Sequence, residues 1–325
     1  MKAARLVGPQ KFEIVDVKDP VPGDKNCIVK LERWSICGSD IRHEYGTVFQ
    51  EEHYPLEAGF PCHELVGSIV ESRSDLWAEG QRVIVIPHLG ANGLTEYTEA
   101  LPNRMIPIPD EGDAGDWLMC QPSGTVLYAL QETGVLLGKR ILILGQGPIG
   151  LSFTAICARS GARQVIAADL HNYRLEYSRR FGATHSINPT AEPLDEAVDT
   201  ITEGEMPDIT IEAAGYPDTL AAAIRLVKVG GTIVMFGQQP NSADGQMAPL
   251  DAKELLYKNA KLRSTAASQS GDVVTHIKTM VELRQRGWWD PAEMITHQLK
   301  FRDLQTAYDM YQQREDEVIK IMMQA

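Results

Sequence analysis

The sequence predicts a mixed α/β protein of two domains, a β-rich first part followed by a doubly wound parallel sheet. Three observations predict it. The first third of the chain is a series of short apolar segments separated by turn residues. From about Cys120 onward, apolar strand-like runs alternate with stretches of helical spacing, which is the pattern of βαβ units. Between the first of those runs and the helix after it lies Gly145-x-Gly147-x-x-Gly150. A chain of 325 residues is long enough for two cores.

The elements follow in order. Segments 12–17 (FEIVDV), 26–36 (NCIVKLERWSI), 65–70 (LVGSIV) and 81–87 (QRVIVIP) read as strands, with turn signals such as DPVPGD between them. The run 123–137 (SGTVLYALQETGVLL) has helical spacing. Next come the apolar strand ILIL, the glycine turn, an apolar helix and the strand QVIAA. THSINP, PDITIEAAG, GGTIVMFGQ and KLRSTAA read as further strands of the same sheet. The last part is helical at 273–289 and 301–313 and ends in a short strand, VIKIMM.

Composition excludes several classes. The formal net charge of −13 argues against nucleic acid or an anionic membrane surface as partner. No apolar run approaches a membrane-spanning length, and the N-terminal stretch lacks the apolar core of a signal peptide. Cys27, Cys37, Cys62, Cys120 and Cys157 are odd in number and contain no CxxC, so neither a disulfide framework nor a four-cysteine zinc knot is expected. A reducing cytoplasm is the expected location.

The glycine pattern is expected to bind a dinucleotide. Its context is right, with a strand before it, a helix after it, and Asp169 about twenty residues further on. Gly145 allows the tight turn, Gly147 lets the backbone approach a pyrophosphate, and Gly150 lets the helix pack close to the strand. Pro148 and Ile149 open the helix whose positive end would face the phosphates. Asp169 can accept from ribose hydroxyls and would repel a 2′-phosphate, so NAD is favoured over NADP. Arg174 is placed on the adenine side. Ala214 and Gly237, in the strand ends EAAG and MFGQ, are expected beside the cofactor.

The stretch PCHELVG sets Cys62, His63 and Glu64 side by side, and in a straight strand Cys62 and Glu64 would share one face. Upstream lies CGSD, from Cys37 to Asp40. These motifs, followed by GQRV at Gly80–Val83, by CQPSG and by the nucleotide domain, resemble the zinc-dependent medium-chain dehydrogenases, in the same order along essentially the whole chain. That group contains alcohol, sorbitol and threonine dehydrogenases.

The resemblance implies a GroES-like catalytic domain at 1–120, a Rossmann domain at 121–264 and a C-terminal segment, 265–325, returning to the first. It implies one catalytic zinc, with Cys37 and His63 as ligands. Glu64 either joins them or orients a ligand, and Gln121 stands where the family has Glu, which leaves the fourth ligand open. Zinc accepts such sulfur, nitrogen and oxygen donors as a tetrahedron. Ser39 resembles the family's hydroxyl relay, and Asp40 is read as structural. Arg42 stands where many members carry a histidine, with His43 one place later. Cys62 stands where the family usually has glycine and is expected off the metal.

The four-cysteine lobe that holds a structural zinc in many members is missing, so a second zinc is not expected. A homodimer or homotetramer is expected. The implied reaction is hydride transfer between NAD and a secondary alcohol of a polyol, sugar or cyclitol, with small-molecule alcohol and ketone as partners. Tyr45, Phe49, Trp117 and Trp288 are candidates to line the pocket. Two readings compete: a zinc-free NADPH quinone or enoyl reductase of the same superfamily, and a non-enzymatic nucleotide-binding protein on this scaffold.

Overall fold

The computed structural model describes residues 1–87, 93–238 and 250–325. They divide into two units, one of Met1–Gly124 with Asp272–Ala325 and the other of Thr125–Gly271.

In the first unit the apolar segments pair into a seven-stranded sheet. Its order is Ile295–Lys300, Lys320–Gln324, Cys27–Ser35, Glu64–Ser72, Arg82–Val85 and Met105–Pro107, with Tyr97–Ala100 also paired to Cys27–Ser35. Only the first pair is parallel. Lys2–Gly8 and Lys11–Asp16 form a separate antiparallel pair. Period-two alternation puts Cys27, Val29 and Leu31 on one face. They meet Leu65, Ile69, Val83, Val85, Ile321 and Met323 in the core.

The register of three strands builds a corner. Ser35 pairs with Glu64 on one side and with Met322 on the other. The end of Cys27–Ser35 therefore meets the starts of Glu64–Ser72 and Lys320–Gln324. Cys37 lies just past the first strand, His63 just before the second, and Lys320 opens the third. Sequence distance has nothing to do with this meeting; strand register alone makes it.

The second unit is a six-stranded sheet in the order His185–Ile187, Gln164–Ala168, Arg140–Leu144, Ile209–Glu212, Thr232–Met235, Lys261–Ser264. Every pair is parallel. Helices Pro148–Arg159, Asn172–Phe181, Leu194–Thr202 and Pro217–Leu226 connect the strands. The strand order reverses between Arg140–Leu144 and Ile209–Glu212, the switch point at which doubly wound sheets bind ligands. The strands RILIL, QVIAA and ITIE are almost wholly buried, as a sheet covered on both faces requires. The fold class is the mixed α/β expected.

Some local expectations change. The helix Cys120–Thr133 stops before VLL, because Gly134 takes φ +100° and breaks it. The strand Ile295–Lys300 was not expected, since ITHQLK has little apolar content and is held at the sheet's edge by Lys320–Gln324. The short connection expected in place of a cysteine lobe includes residues 88–92, which lie outside the described residues.

Gly67 permits the tight pairing of Cys27–Ser35 with Glu64–Ser72. A Cβ there would lie 2.0 Å from the Lys30 carbonyl oxygen. Gly67→Ala is therefore expected to destabilise the protein by about 1–3 kcal/mol. A thermal melt that matches wild type would show that the strands can part without cost.

Candidate metal centre and dinucleotide site

The corner of the first unit brings together the residues that the motifs separate. Among the described residues, Cys37, His63 and Glu64 offer ligand atoms that all lie within 4.8 Å of one another. His63 and Glu64 are neighbours, yet both reach the same point. The strand begins only at Glu64, so the alternation expected of a straight strand does not extend back to His63 and Cys62.

Cys62 is wholly buried. Its Sγ lies 3.5 Å from the Ser35 carbonyl oxygen and 3.7 Å from that of Glu64, and it is not one of the three. Burial pushes its thiol well above the ordinary value, so it stays protonated.

Asp40 orients the cluster. It is buried, its Oδ1 lies 2.7 Å from His63 Nδ1, and its Oδ2 accepts from the Cys37 backbone N–H at 2.9 Å. A carboxylate on one ring nitrogen fixes the imidazole and leaves Nε2 for a metal. Burial opposes a charged His63, but the Asp40 carboxylate and then Cys37 outweigh it. The imidazole is held well above its ordinary value in the metal-free protein.

Sequence reasoning missed Lys320. It is 1% exposed, and its Nζ donates to Glu64 Oε1 at 3.0 Å and to the Ile36 carbonyl at 2.8 Å. Burial opposes the ammonium, but Glu64 outweighs it and raises the lysine pKa. Nζ also lies 2.7 Å from Glu64 Oε2, so the ammonium stands against both carboxylate oxygens. Each carboxylate oxygen keeps lone-pair capacity beyond the lysine contact. A thiol, an imidazole and a carboxylate whose ligand atoms converge within 4.8 Å are a donor set that fits zinc. Gln121 Oε1 is a buried acceptor without a donor, in the first turn of Cys120–Thr133. The Ser39 side chain is partly exposed, two residues after Cys37.

Tyr45 does not line a pocket. It is wholly buried, stacked on Phe12, and its hydroxyl bonds to Asp309. Trp117 lies under the Arg284 guanidinium, 3.9 Å from its ring centroid.

In the second unit Gly145 takes φ +93°, and a Cβ there would meet Ala214 at 2.8 Å. A Cβ on Gly150 would lie 1.8 Å from the Gly145 carbonyl oxygen. Gly147 differs: its nearest neighbour would be Arg174 Nη1 at 4.0 Å, so the chain itself does not require glycine there. That space lies at the start of the helix Pro148–Arg159, where Ile149 also sits, and is free for phosphate.

Asp169 Oδ2 accepts from the Gln146 N–H at 2.7 Å, and Oδ1 from the His171 N–H at 2.9 Å. Arg174 Nη1 stands 3.8 Å from Asp169. Glu212 opens the strand end EAAG, but the part its carboxylate plays was not foreseen. Its Oε1 accepts from the Ala214 and Gly215 N–H groups and from Thr219 Oγ1, which fixes the EAAG turn. A Cβ on Gly237 would lie 2.5 Å from Glu212 Oε2.

A family model described as an alcohol dehydrogenase GroES-like domain matches residues 23–110, and one described as a zinc-binding dehydrogenase matches residues 148–283. The chain belongs to the zinc-dependent medium-chain dehydrogenases. An alcohol dehydrogenase of Cupriavidus necator is 28% identical, over 99% of this chain and 98% of its own length. An L-threonine 3-dehydrogenase of Shewanella sp. (strain W3-18-1) is 27% identical, over 95% of this chain and 96% of its own. A solved Escherichia coli oxidoreductase/dehydrogenase of unknown specificity is 25% identical with a TM-score of 0.87, over 99% of this chain and 98% of that one. This medium-chain dehydrogenase is thus a zinc-type, dinucleotide-using oxidoreductase that acts on small molecules. None of its described helices is long and apolar enough to cross a membrane.

Two outcomes follow from this geometry. Zinc must displace the proton that Asp40 helps His63 to hold, so zinc affinity should fall about tenfold per pH unit below the raised His63 value. Competition with a chromogenic chelator across pH measures it, and a slope that His63→Ala leaves unchanged would remove His63 from the ligands. Lys320→Met strands the Glu64 charge and should cost the metal-free protein about 3–5 kcal/mol. Zinc should raise the melting temperature of this variant more than that of wild type, because the metal replaces the lost positive charge.

Proposed function

We propose that the protein oxidises a secondary alcohol of a polyol, sugar or cyclitol with NAD and reduces the matching ketone in reverse. The observation that carries this reading is the Cys37, His63 and Glu64 cluster in a chain that also holds the dinucleotide turn. The zinc-free reductase reading gives these three donors no task.

When bound, zinc supplies a Lewis acid for the substrate oxygen, and NAD supplies the hydride acceptor. The chain's own residues do the rest. Cys37 and His63 hold the metal, and Asp40 keeps the imidazole in the orientation that exposes Nε2. Glu64 would contribute a carboxylate oxygen, with the Lys320 ammonium against the same carboxylate. Gln121 contributes a neutral carbonyl oxygen, which, unlike a glutamate, takes up no proton. Ser39 accepts the alcohol proton as it passes its own on towards solvent. Oxidation therefore releases one proton for each hydride delivered to the dinucleotide.

Asp169 favours NAD. Its two N–H donors fix a buried carboxylate. At the ribose it would present like charge to a 2′-phosphate. Arg174 beside it offsets part of that charge, so the preference rests on Asp169. Asp169→Ser is expected to narrow the NADH over NADPH binding ratio about tenfold or more, the scale of one lost charge contact. Fluorescence titration reads it, and an unchanged ratio would move the determinant elsewhere.

The function itself is tested by NAD reduction over a panel of polyols, sugars and simple secondary alcohols with the zinc-loaded protein. Turnover of at least one is expected. Cys37→Ser should abolish turnover and zinc retention while NADH still binds. A wild-type protein that purifies without zinc and cannot be loaded with it would sink the reading.

A further inference from the structure

The loop after Cys37 carries a carboxyl that the mechanism does not use. A short helical turn, Gly38–Asp40, runs directly into a π turn, Ile41–Tyr45. The Gly46 N–H closes it by donating to the Ile41 carbonyl at 2.7 Å. Turns of this kind are rare and concentrate at functional sites. Residues four apart share a face. Ile41 and Tyr45 form one stripe and pack into the core. Asp40 and Glu44 form another, and Asp40 faces His63. Glu44 is therefore turned towards the ligand cluster.

The turn is held rigidly in that setting. The Tyr45 hydroxyl donates to Asp309 Oδ1 at 2.6 Å and accepts from Gln305 Nε2 at 2.7 Å. Phe12 stacks on the Tyr45 ring at 5.3 Å. Thr47 Oγ1 donates to the Arg42 carbonyl at 2.8 Å. The turn cannot roll to carry Glu44 away without breaking this network.

Glu44 is half-buried, and its carboxyl has no hydrogen bond or ion pair among the described residues. Like charges four apart on a helical turn repel, so Asp40 disfavours a charged Glu44, and His63 offsets part of that. Burial, then the Asp40 charge, pushes the Glu44 carboxyl up to about 7. A carboxyl in that range accepts from a neutral hydroxyl in either protonation state, through its carbonyl oxygen.

We propose that Glu44 is a specificity-determining residue that accepts a hydrogen bond from a hydroxyl on the carbon next to the reacting alcohol. The site then selects vicinal diols and polyols over mono-alcohols of the same length. A site that bonds a hydroxyl disfavours the analogue that lacks it, because a substrate filling the site displaces water from this half-buried carboxyl and leaves it unpaired. This inference rests on the dehydrogenase reading above.

The test compares meso-2,3-butanediol with 2-butanol and adds a binding measurement that needs no turnover. In wild type the kcat/KM ratio should favour the diol. Glu44→Ala should lower that ratio about tenfold to a hundredfold, the scale of one hydrogen bond to a charged group. The loss should fall on KM more than on kcat. Glu44→Gln keeps a carbonyl oxygen and should recover part of the ratio. Zinc content and melting temperature are checked for each variant.

Calorimetric titration of the zinc-loaded protein with xylitol reads the contact directly, with Glu44→Ala weakening it by the same factor. Equal effects on diol and mono-alcohol, or xylitol binding indifferent to Glu44, overturn the proposal, as does wild type that binds no xylitol. A protein that turns over no alcohol yet binds xylitol through Glu44 loses the dehydrogenase reading and keeps this contact.

Discussion

The ion pair between Lys320 and Glu64 is the constraint on which the metal corner depends. Both side chains are about 1% exposed, and neither charge could stay there without the other. The lysine also bonds the Ile36 carbonyl, next to Cys37. A single ammonium thereby ties the strand that leads to the cysteine, the strand that begins with the glutamate, and its own. The pair is weak evidence for stability, since buried ion pairs roughly break even against apolar packing. Its consequence is positional. It fixes the Glu64 carboxylate at the start of its strand, beside Cys37 and His63.

The second unit solves its positioning problem by a related route. There too the functional groups sit at strand ends, where the backbone leaves the ladder and its N–H groups become available. Asp169 follows Gln164–Ala168 and Glu212 ends Ile209–Glu212, the strands on either side of Arg140–Leu144, and both are held by backbone N–H groups of turns at strand ends. In the corner of the first unit a side-chain ammonium holds the Glu64 carboxylate. In both units a carboxylate is fixed before any ligand arrives, which lowers the reorganisation a reaction demands.

The sequence makes some of this legible and hides the rest for physical reasons. The parallel sheet, the glycine turn and Asp169 follow from local patterns, because strand, turn and helix are consecutive there. Cys37 and His63 are legible through their motifs. Lys320 is not. In VIKIMM it reads as the polar member of an edge strand, and its partner lies 256 residues away. Only the register that pairs Met322 with Ser35 brings them together. The π turn is equally hidden: nothing in IRHEY announces an extra residue per turn, and its closing bond needs Tyr45 already anchored on the helix Leu304–Gln313. That anchoring also explains why Tyr45, one of the candidates to line a pocket, is core.

The replacement of a family glutamate by Gln121 takes its meaning from these charges. On the proposed ligand set, a glutamate there would add a negative charge to a corner that already holds Cys37, Glu64 and Asp40. A neutral amide oxygen adds none. With the Lys320 ammonium beside Glu64, the metal then faces less compensating negative charge, and its hold on a substrate oxygen strengthens accordingly. An amide cannot ferry a proton, so the proton must leave by the hydroxyl side of the site, where Ser39 stands. Glu44 occupies the same turn as Ser39 and Asp40, and it can serve substrate recognition because it is not needed to balance the metal. On the proposed reading the corner separates three tasks among its acids: Asp40 would orient a ligand, Glu64 would supply one, and Glu44 would remain for the substrate.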